Sequence, residues 1–178
     1  MEIRELNVNN IDDIKNAILN IFSKDPWNDT WTEEQLHLYV LELIENKNSL
    51  SFGFYENQNL VGISLGKVKH WCEGTEYWIE EFGILPEKQK SGLGSLFLTF
   101  IERVLKSKEV TSIVLLTENM VPAYTFYQKN GFKEQKETVF FSKKITGIAR
   151  TATTRRGKTP SRVAAEGTTR AGVAAPRA

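Results

Sequence analysis

Between Gln89 and Ser95 the chain reads Gln-Lys-Ser-Gly-Leu-Gly-Ser, and here the residue types first suggest chemistry. Glycines at 92 and 94 let a ligand come against the backbone, because no Cβ stands in the way. A helix starting here leaves its first amide hydrogens unpaired and turns the positive end of its dipole outwards, which attracts phosphate. Lys88 and Lys90 add positive charge. Neither common phosphate motif fits. A P-loop needs Gly-Lys followed by Ser or Thr, where this chain has Gly94-Ser95-Leu96; a dinucleotide fingerprint needs a third glycine where Phe97 stands. The same glycines would equally serve a plain tight turn from strand to helix. Cys72 and His70 lie two residues apart, but a Trp71-Cys72-Glu73-Gly74 turn is a poor mount for a nucleophile and its base. With two histidines and one cysteine in the chain, no dedicated metal site is expected.

The elements that must hold this loop follow from periodicity. Trp78, Ile79, Phe82, Ile84 and Leu85 give residues 76–85 the aromatic and β-branched weight of a strand ending at Pro86. From Leu93 the apolar residues recur at three and four, through Leu96, Phe97, Phe100, Ile101, Val104 and Leu105, as on one face of a helix. Upstream, residues 2–6 read as a strand. Asn10 is placed to cap a helix carrying Ile11, Ile14, Ile18, Ile21 and Phe22. Thr32 with Gln35 forms a capping box for a second helix. Residues 50–55 and 60–69 form an antiparallel hairpin around Glu56-Asn57-Gln58-Asn59. Downstream, residues 111–117 read as a buried strand parallel to 76–85. A short helix from Pro122 stops at Asn130-Gly131. Residues 132–134 and 139–144 then read as two last antiparallel strands. The expected fold is a mixed α/β sheet in the order β-α-α-β-β-β-α-β-α-β-β, with helices on both faces.

Composition bounds the rest. The 178 residues suffice for one domain, taken as residues 1–146, followed by a basic Ala/Arg/Thr-rich tail over 147–178 expected to be disordered or foreign to the body. Residues 150–178 carry seven basic residues and one acid, so residues 1–149 hold 16 basic and 21 acidic residues, a net of −5. An acidic body suits a cationic small molecule better than nucleic acid. No apolar run is long enough for a membrane span and the N-terminus is not a secretory leader, so a cytoplasmic protein without membrane or nucleic-acid partners is expected.

Two stretches together resemble the GCN5-related N-acetyltransferase (GNAT) superfamily. Gln89-Lys90-Ser91-Gly92-Leu93-Gly94 is similar to its (Gln/Arg)-x-x-Gly-x-(Gly/Ala) loop between fourth strand and third helix. Ala123-Tyr124-Thr125-Phe126-Tyr127-Gln128-Lys129-Asn130-Gly131-Phe132 is similar to its A-x-x-F-Y-x-K-x-G-F ending. The resemblance implies a GNAT-like fold and transfer of an acetyl group from acetyl-CoA to a primary amine. It places the coenzyme's diphosphate on the loop Gln89, Lys90, Ser91, Gly92, Leu93, Gly94 and Ser95. It also places pantetheine and the thioester carbonyl along a fourth strand splayed from the fifth, around Phe82, Ile84 and Leu85. The Ile84 amide is the expected donor to that carbonyl. Tyr127 matches the tyrosine that returns a proton to the leaving thiolate. Many relatives have an asparagine seven residues before that tyrosine; Met120 stands there, and Asn119, one place earlier, is the residue left to reach the coenzyme. Glu80 and Glu81 are the candidate bases. Ordinary pleating sends them to opposite faces, so that only one, with Glu81 preferred, meets the acceptor unless a bulge intervenes. The aromatic and acidic supply of Trp27, Trp31, Tyr39, Trp71, Glu73, Glu76, Trp78, Glu80 and Glu81 suits a polycationic small molecule such as an aminoglycoside or polyamine. The run Trp71 to Glu81, W-x-E-G-x-E-Y-W-I-E-E, also resembles aminoglycoside 6′-type acetyltransferases, which implies a role in antibiotic resistance. A protein or peptide amine is the competing acceptor, and a non-catalytic acyl-CoA-binding module the competing class. Oligomers are common in the superfamily, which admits a homodimer.

Overall fold

The computed structural model describes residues 1–143 and 145. The chain divides into two units, Met1–Phe132 and Lys133–Ala178. The first holds five strands and four helices. In chain order these are β1 (Glu2–Glu5), α1 (Ile11–Phe22), α2 (Glu33–Ile44), β2 (Phe52–Glu56), β3 (Asn59–Trp71), β4 (Gly74–Ile84), α3 (Leu93–Ser107), β5 (Ser112–Leu115) and α4 (Pro122–Lys129). The strands lie side by side in sequence order. Neighbours are antiparallel except β4 and β5, which the crossover through α3 makes parallel.

Helix starts explain the layout of the first face. Thr32 Oγ1 accepts from the Gln35 amide at 3.2 Å and Gln35 Oε1 from the Thr32 amide at 3.1 Å, the capping box expected for α2. For α1 the box sits one turn earlier than expected: Asn7 and Asn10 cap a 3-10 turn, Val8–Asn10, that runs into the helix, and Asn10 makes no side-chain cap of its own. The apolar stripes of α1 and α2 (Ile14, Ile18, Leu36, Val40) close over Ile63 and Leu65 of β3. On the opposite face Phe97, Leu98, Ile101 and Leu105 of α3 pack on Phe52, Phe54, Tyr77 and Ile84. Phe97 has no exposed surface and stacks on Phe54 at 4.7 Å, so its replacement by alanine should cost about 3–5 kcal/mol. The mixed sheet therefore has helices on both faces, as expected.

Five of the seven expected strands form. Phe132–Glu134 and the described part of 139–144 adopt neither helix nor strand, and Lys144 lies outside the described residues. The charged run Lys133-Glu134-Gln135-Lys136-Glu137 gives a strand no apolar face to bury, and Phe140 and Phe141 are both exposed, without the alternation of a half-buried strand. β5, expected to be buried, is only half covered because it lies at an edge of the sheet. The 147–178 tail lies outside the described residues. Among those described, no helix is long and apolar enough to cross a membrane.

Candidate active site

The loop from β4 to α3 is built from its own polar groups. A 3-10 turn, Pro86–Lys88, follows Leu85. The Gln89 side chain donates back to the Ile84 carbonyl at 2.9 Å, and Ser91 Oγ to the Lys88 carbonyl at 2.5 Å. Lys90 and Gly92 both take left-handed backbone, at φ of 58° and 81°. Gly92 is the N-cap of α3 and no side chain caps this end. The Leu96 amide makes the first helical bond, to the Gly92 carbonyl, which leaves the amides of Leu93, Gly94 and Ser95 ahead of it.

The two glycines answer different demands. A Cβ on Gly92 would meet nothing within 4 Å, so its backbone borders open space. A Cβ on Gly94 would sit 3.0 Å from Phe126 Cε2, so Gly94 lets α4 approach α3 closely. Lys88 is engaged by Glu56, with Nζ to Oε2 at 2.5 Å, and this carboxylate pushes its ammonium pKa up. Lys90 is exposed.

Beside this loop the sheet opens. Registered pairs between β4 and β5 end at Ile79 and Leu115, whereas β4 continues alongside β3 to the pair Gly62–Ile84. Leu85 donates its amide to the Val61 carbonyl across β3. Successive strand residues point their backbone groups in opposite directions, so the Ile84 amide and carbonyl face the gap, where Gln89 reaches that carbonyl. Phe82 lies on the α3 side, its ring 5.5 Å from Phe97, 5.8 Å from Phe126 and 6.3 Å from Tyr127. Tyr127 is buried, with Phe126 and Phe132 at 5.3 and 5.2 Å. The structure thus brings Phe82, Ile84, Leu85, Gln89, the 90–95 loop and Tyr127 to one end of β4. Asn119 lies in an exposed turn between β5 and α4, next to an 89% exposed Met120. His70 Nδ1 faces Thr75 Oγ1 at 3.3 Å and Cys72 is exposed.

The carboxylates depart from simple pleating. Leu65 pairs with Glu81 and Gly66 with Ile79, so Glu80 is an extra residue in β4, a bulge. Tyr77 and Ile79 before it, and Phe82 and Ile84 after it, all face α3. Both Glu80 and Glu81 consequently turn to the α1–α2 face. Glu81, 3% exposed, accepts a hydrogen bond from the Tyr39 hydroxyl of α2 at 2.5 Å. Glu80 Oε1 lies 2.6 Å from Lys67 Nζ as an ion pair without hydrogen-bond alignment. It lines a small cleft with Glu42, Asn46 and Ser49. Above Glu81, Tyr39 stacks on Trp31 with ring centres 4.9 Å apart. Trp31 Nε1 is buried without a hydrogen-bond partner among the described residues. The sequence offers Tyr39 as part of the aromatic and acidic supply suited to a polycation, not as a partner of Glu81.

A sheet that parts beside an uncapped helix start, with acids on one side and a buried tyrosine on the other, is the arrangement of an acyl-coenzyme A-dependent transferase. The chain belongs to the acetyltransferase (GNAT) family, which it matches over residues 13–132, and it is an acetyl-CoA-dependent N-acetyltransferase of that family. Solved structures share the fold at low identity. A possible acetyltransferase from Clostridium difficile 630 is 16% identical with a TM-score of 0.70, over 81% of this chain and 97% of that one. An aminoglycoside acetyltransferase from an uncultured soil metagenomic sample, in complex with sisomicin, is 15% identical at 0.66, over 82% and 96%. The aminoglycoside 6′-N-acetyltransferase of Acinetobacter haemolyticus is 18% identical at 0.63, over 82% and 99%. No curated protein matches the chain significantly. The family's coenzyme is acetyl-CoA, and the residues fit it: open space over Gly92, an α3 start without a side-chain cap, and the β4 edge turned to the gap.

Proposed function

We propose that this enzyme acetylates a primary amine of a cationic small molecule, an aminoglycoside or a polyamine, and that an aminoglycoside acceptor would make it a resistance enzyme. The observation that carries the reading is the β4 bulge, which turns Glu80 and Glu81 together towards the face where Trp31 and Tyr39 lie. A carboxylate beside the Trp31 and Tyr39 rings suits a cationic acceptor, and residues 1–149 are net acidic. Among structural neighbours, one was solved with sisomicin and another with a coenzyme A–acetylneamine bisubstrate analogue.

Acetyl-CoA supplies an activated acyl group as a thioester. The chain's own residues bind and orient it. The amides of Leu93, Gly94 and Ser95, with the dipole of α3, hold the diphosphate, and Gly92 keeps their approach clear. Gln89 fixes the Ile84 carbonyl, which steadies the neighbouring Ile84 amide as donor to the acyl oxygen. Glu81, held by the Tyr39 hydroxyl, takes the proton of the acceptor ammonium, while Glu80 stays paired with Lys67. Tyr127 carries the hydroxyl proton for the sulfur, held in place by Phe82, Phe126 and Phe132. The test is a thiol-release assay with acetyl-CoA against sisomicin, neamine, spermidine and a lysine peptide. Turnover of the peptide with none of the cationic small molecules would overturn this reading.

A further inference from the structure

We propose that Tyr39 is the positioning residue for Glu81: from α2 it holds the carboxylate next to the bulge facing the acceptor, and Trp31 holds Tyr39 in turn. The inference rests on the reading of Glu81 as proton acceptor. Registered against Leu65 just past the bulge, Glu81 is put on this face by the pleat, but the pleat does not set the torsions of its long side chain. The Tyr39 hydroxyl, 2.5 Å from Oε1, supplies a directional constraint, and a bond to a carboxylate is stronger than one between neutral groups.

Tyr39 is itself constrained. Its ring lies on Trp31 at 4.9 Å and 23° between planes. Trp31 directly precedes Thr32, whose capping box fixes the start of α2, so the stack is tied to the backbone at both ends. The buried Trp31 Nε1, without a protein partner among the described residues, is the donor left for a hydroxyl or carbonyl of the acceptor. Contact there bears on the same stack that aims Glu81.

Among the described residues, the charged and titratable groups placed on Glu81 or its neighbour Glu80 come from three elements. β4 contributes Glu80, β3 contributes Lys67 on Glu80, and α2 contributes Glu42 in the Glu80 cleft besides Tyr39. From α1, Ile21 and Phe22 lie against the position of Gly83, two residues further along β4.

The experiment reads Glu81 directly. The side-chain carboxyl carbon of Glu81 is followed by NMR against pH in the wild type and in Tyr39→Phe, with Glu81→Gln assigning the signal. Tyr39→Phe keeps the ring on Trp31 and removes only the donor, so the ionised carboxylate loses support and its titration midpoint should rise by about one pH unit. The acidic limb of kcat/KM for neamine, sisomicin or spermidine, whichever is turned over, should move by the same amount. The KM for acetyl-CoA should stay unchanged. An unmoved midpoint in Tyr39→Phe, with Glu81→Gln still abolishing the acidic limb, overturns the role of Tyr39 and leaves Glu81 as base. A wild-type limb in Glu81→Gln overturns both.

Discussion

Replacing Gly92 by alanine separates what this glycine does for folding from what it does for the coenzyme. At φ of 81° an alanine is strained, by about 1–2 kcal/mol for left-handed backbone. Nothing lies within 4 Å of the new methyl group, so no steric cost adds to that figure. For a domain of this size each kcal/mol is worth about 2–4 °C, so the melting temperature should fall by roughly 2–8 °C. A domain with about 5–15 kcal/mol of stability stays folded at 25 °C after such a loss. Any weakening of coenzyme binding at that temperature is therefore a local effect. The methyl group would project into the space where the diphosphate meets the α3 amides. Loss of one charge-assisted bond there, about 1.5–3 kcal/mol, raises Kd on the order of ten- to a hundredfold. Gly94→Ala is the internal control. It gains about 1 kcal/mol of helix propensity, set against pressing on Phe126 at 3.0 Å, so it should be near neutral in both respects. Calorimetric titration with coenzyme A, alongside thermal unfolding by circular dichroism, gives both numbers. Gly92→Ala protein that melts lower but binds coenzyme A as the wild type does would refute the assignment of the α3 start to the diphosphate.

Other perturbations have equally definite outcomes. Tyr127→Phe keeps the ring among Phe82, Phe126 and Phe132, so it should fold and bind coenzyme A normally while kcat in the thiol-release assay drops at least about 100-fold. Gln89→Ala frees the Ile84 carbonyl and loosens the loop, and should raise the KM for acetyl-CoA several-fold with a smaller change in kcat. Tyr77 is fully buried, its hydroxyl 3.0 Å from Ser64 Oγ, and burial pushes its pKa well above the ordinary 10.0. The folded state thus holds a proton that the unfolded chain releases. The stability this gives is intact below about pH 10 and declines as pH rises beyond it. Urea unfolding should show that decline, and Tyr77→Phe should flatten part of it while losing about 1–3 kcal/mol at neutral pH, because Ser64 Oγ is left without that partner.

Much of this site was legible in the sequence because it depends on local rules. A change of period at Leu93 marks a helix start, glycines mark where backbone can be approached, and Thr32 with Gln35 marks a cap; the structure has each in place. The two missing strands failed for the opposite reason. A strand exists only through its partner, and 132–143, a charged run followed by the exposed neighbours Phe140 and Phe141, offers no apolar face for one to cover. The bulge lies between these cases. Along β4 the residues that face α3 are Tyr77 and Ile79, then Phe82 and Ile84, so the alternation changes parity across Glu80-Glu81. In a sheet buried on both faces such a step requires one extra residue, since otherwise Phe82 and Ile84 would point at α1. Parity was therefore the signal that both acids share a face, and only pairing with β3 shows that Glu80 is the extra residue. What no local rule could reach is the bond from Tyr39. It joins residues 42 apart, and it exists because the cap that starts α2 also sets which helix face lies over the bulge. Shifting that cap should change catalysis through Glu81 before it changes the fold. Thr32→Ala is the direct check: about 1 kcal/mol of stability lost, and an acidic limb displaced in the same direction as in Tyr39→Phe.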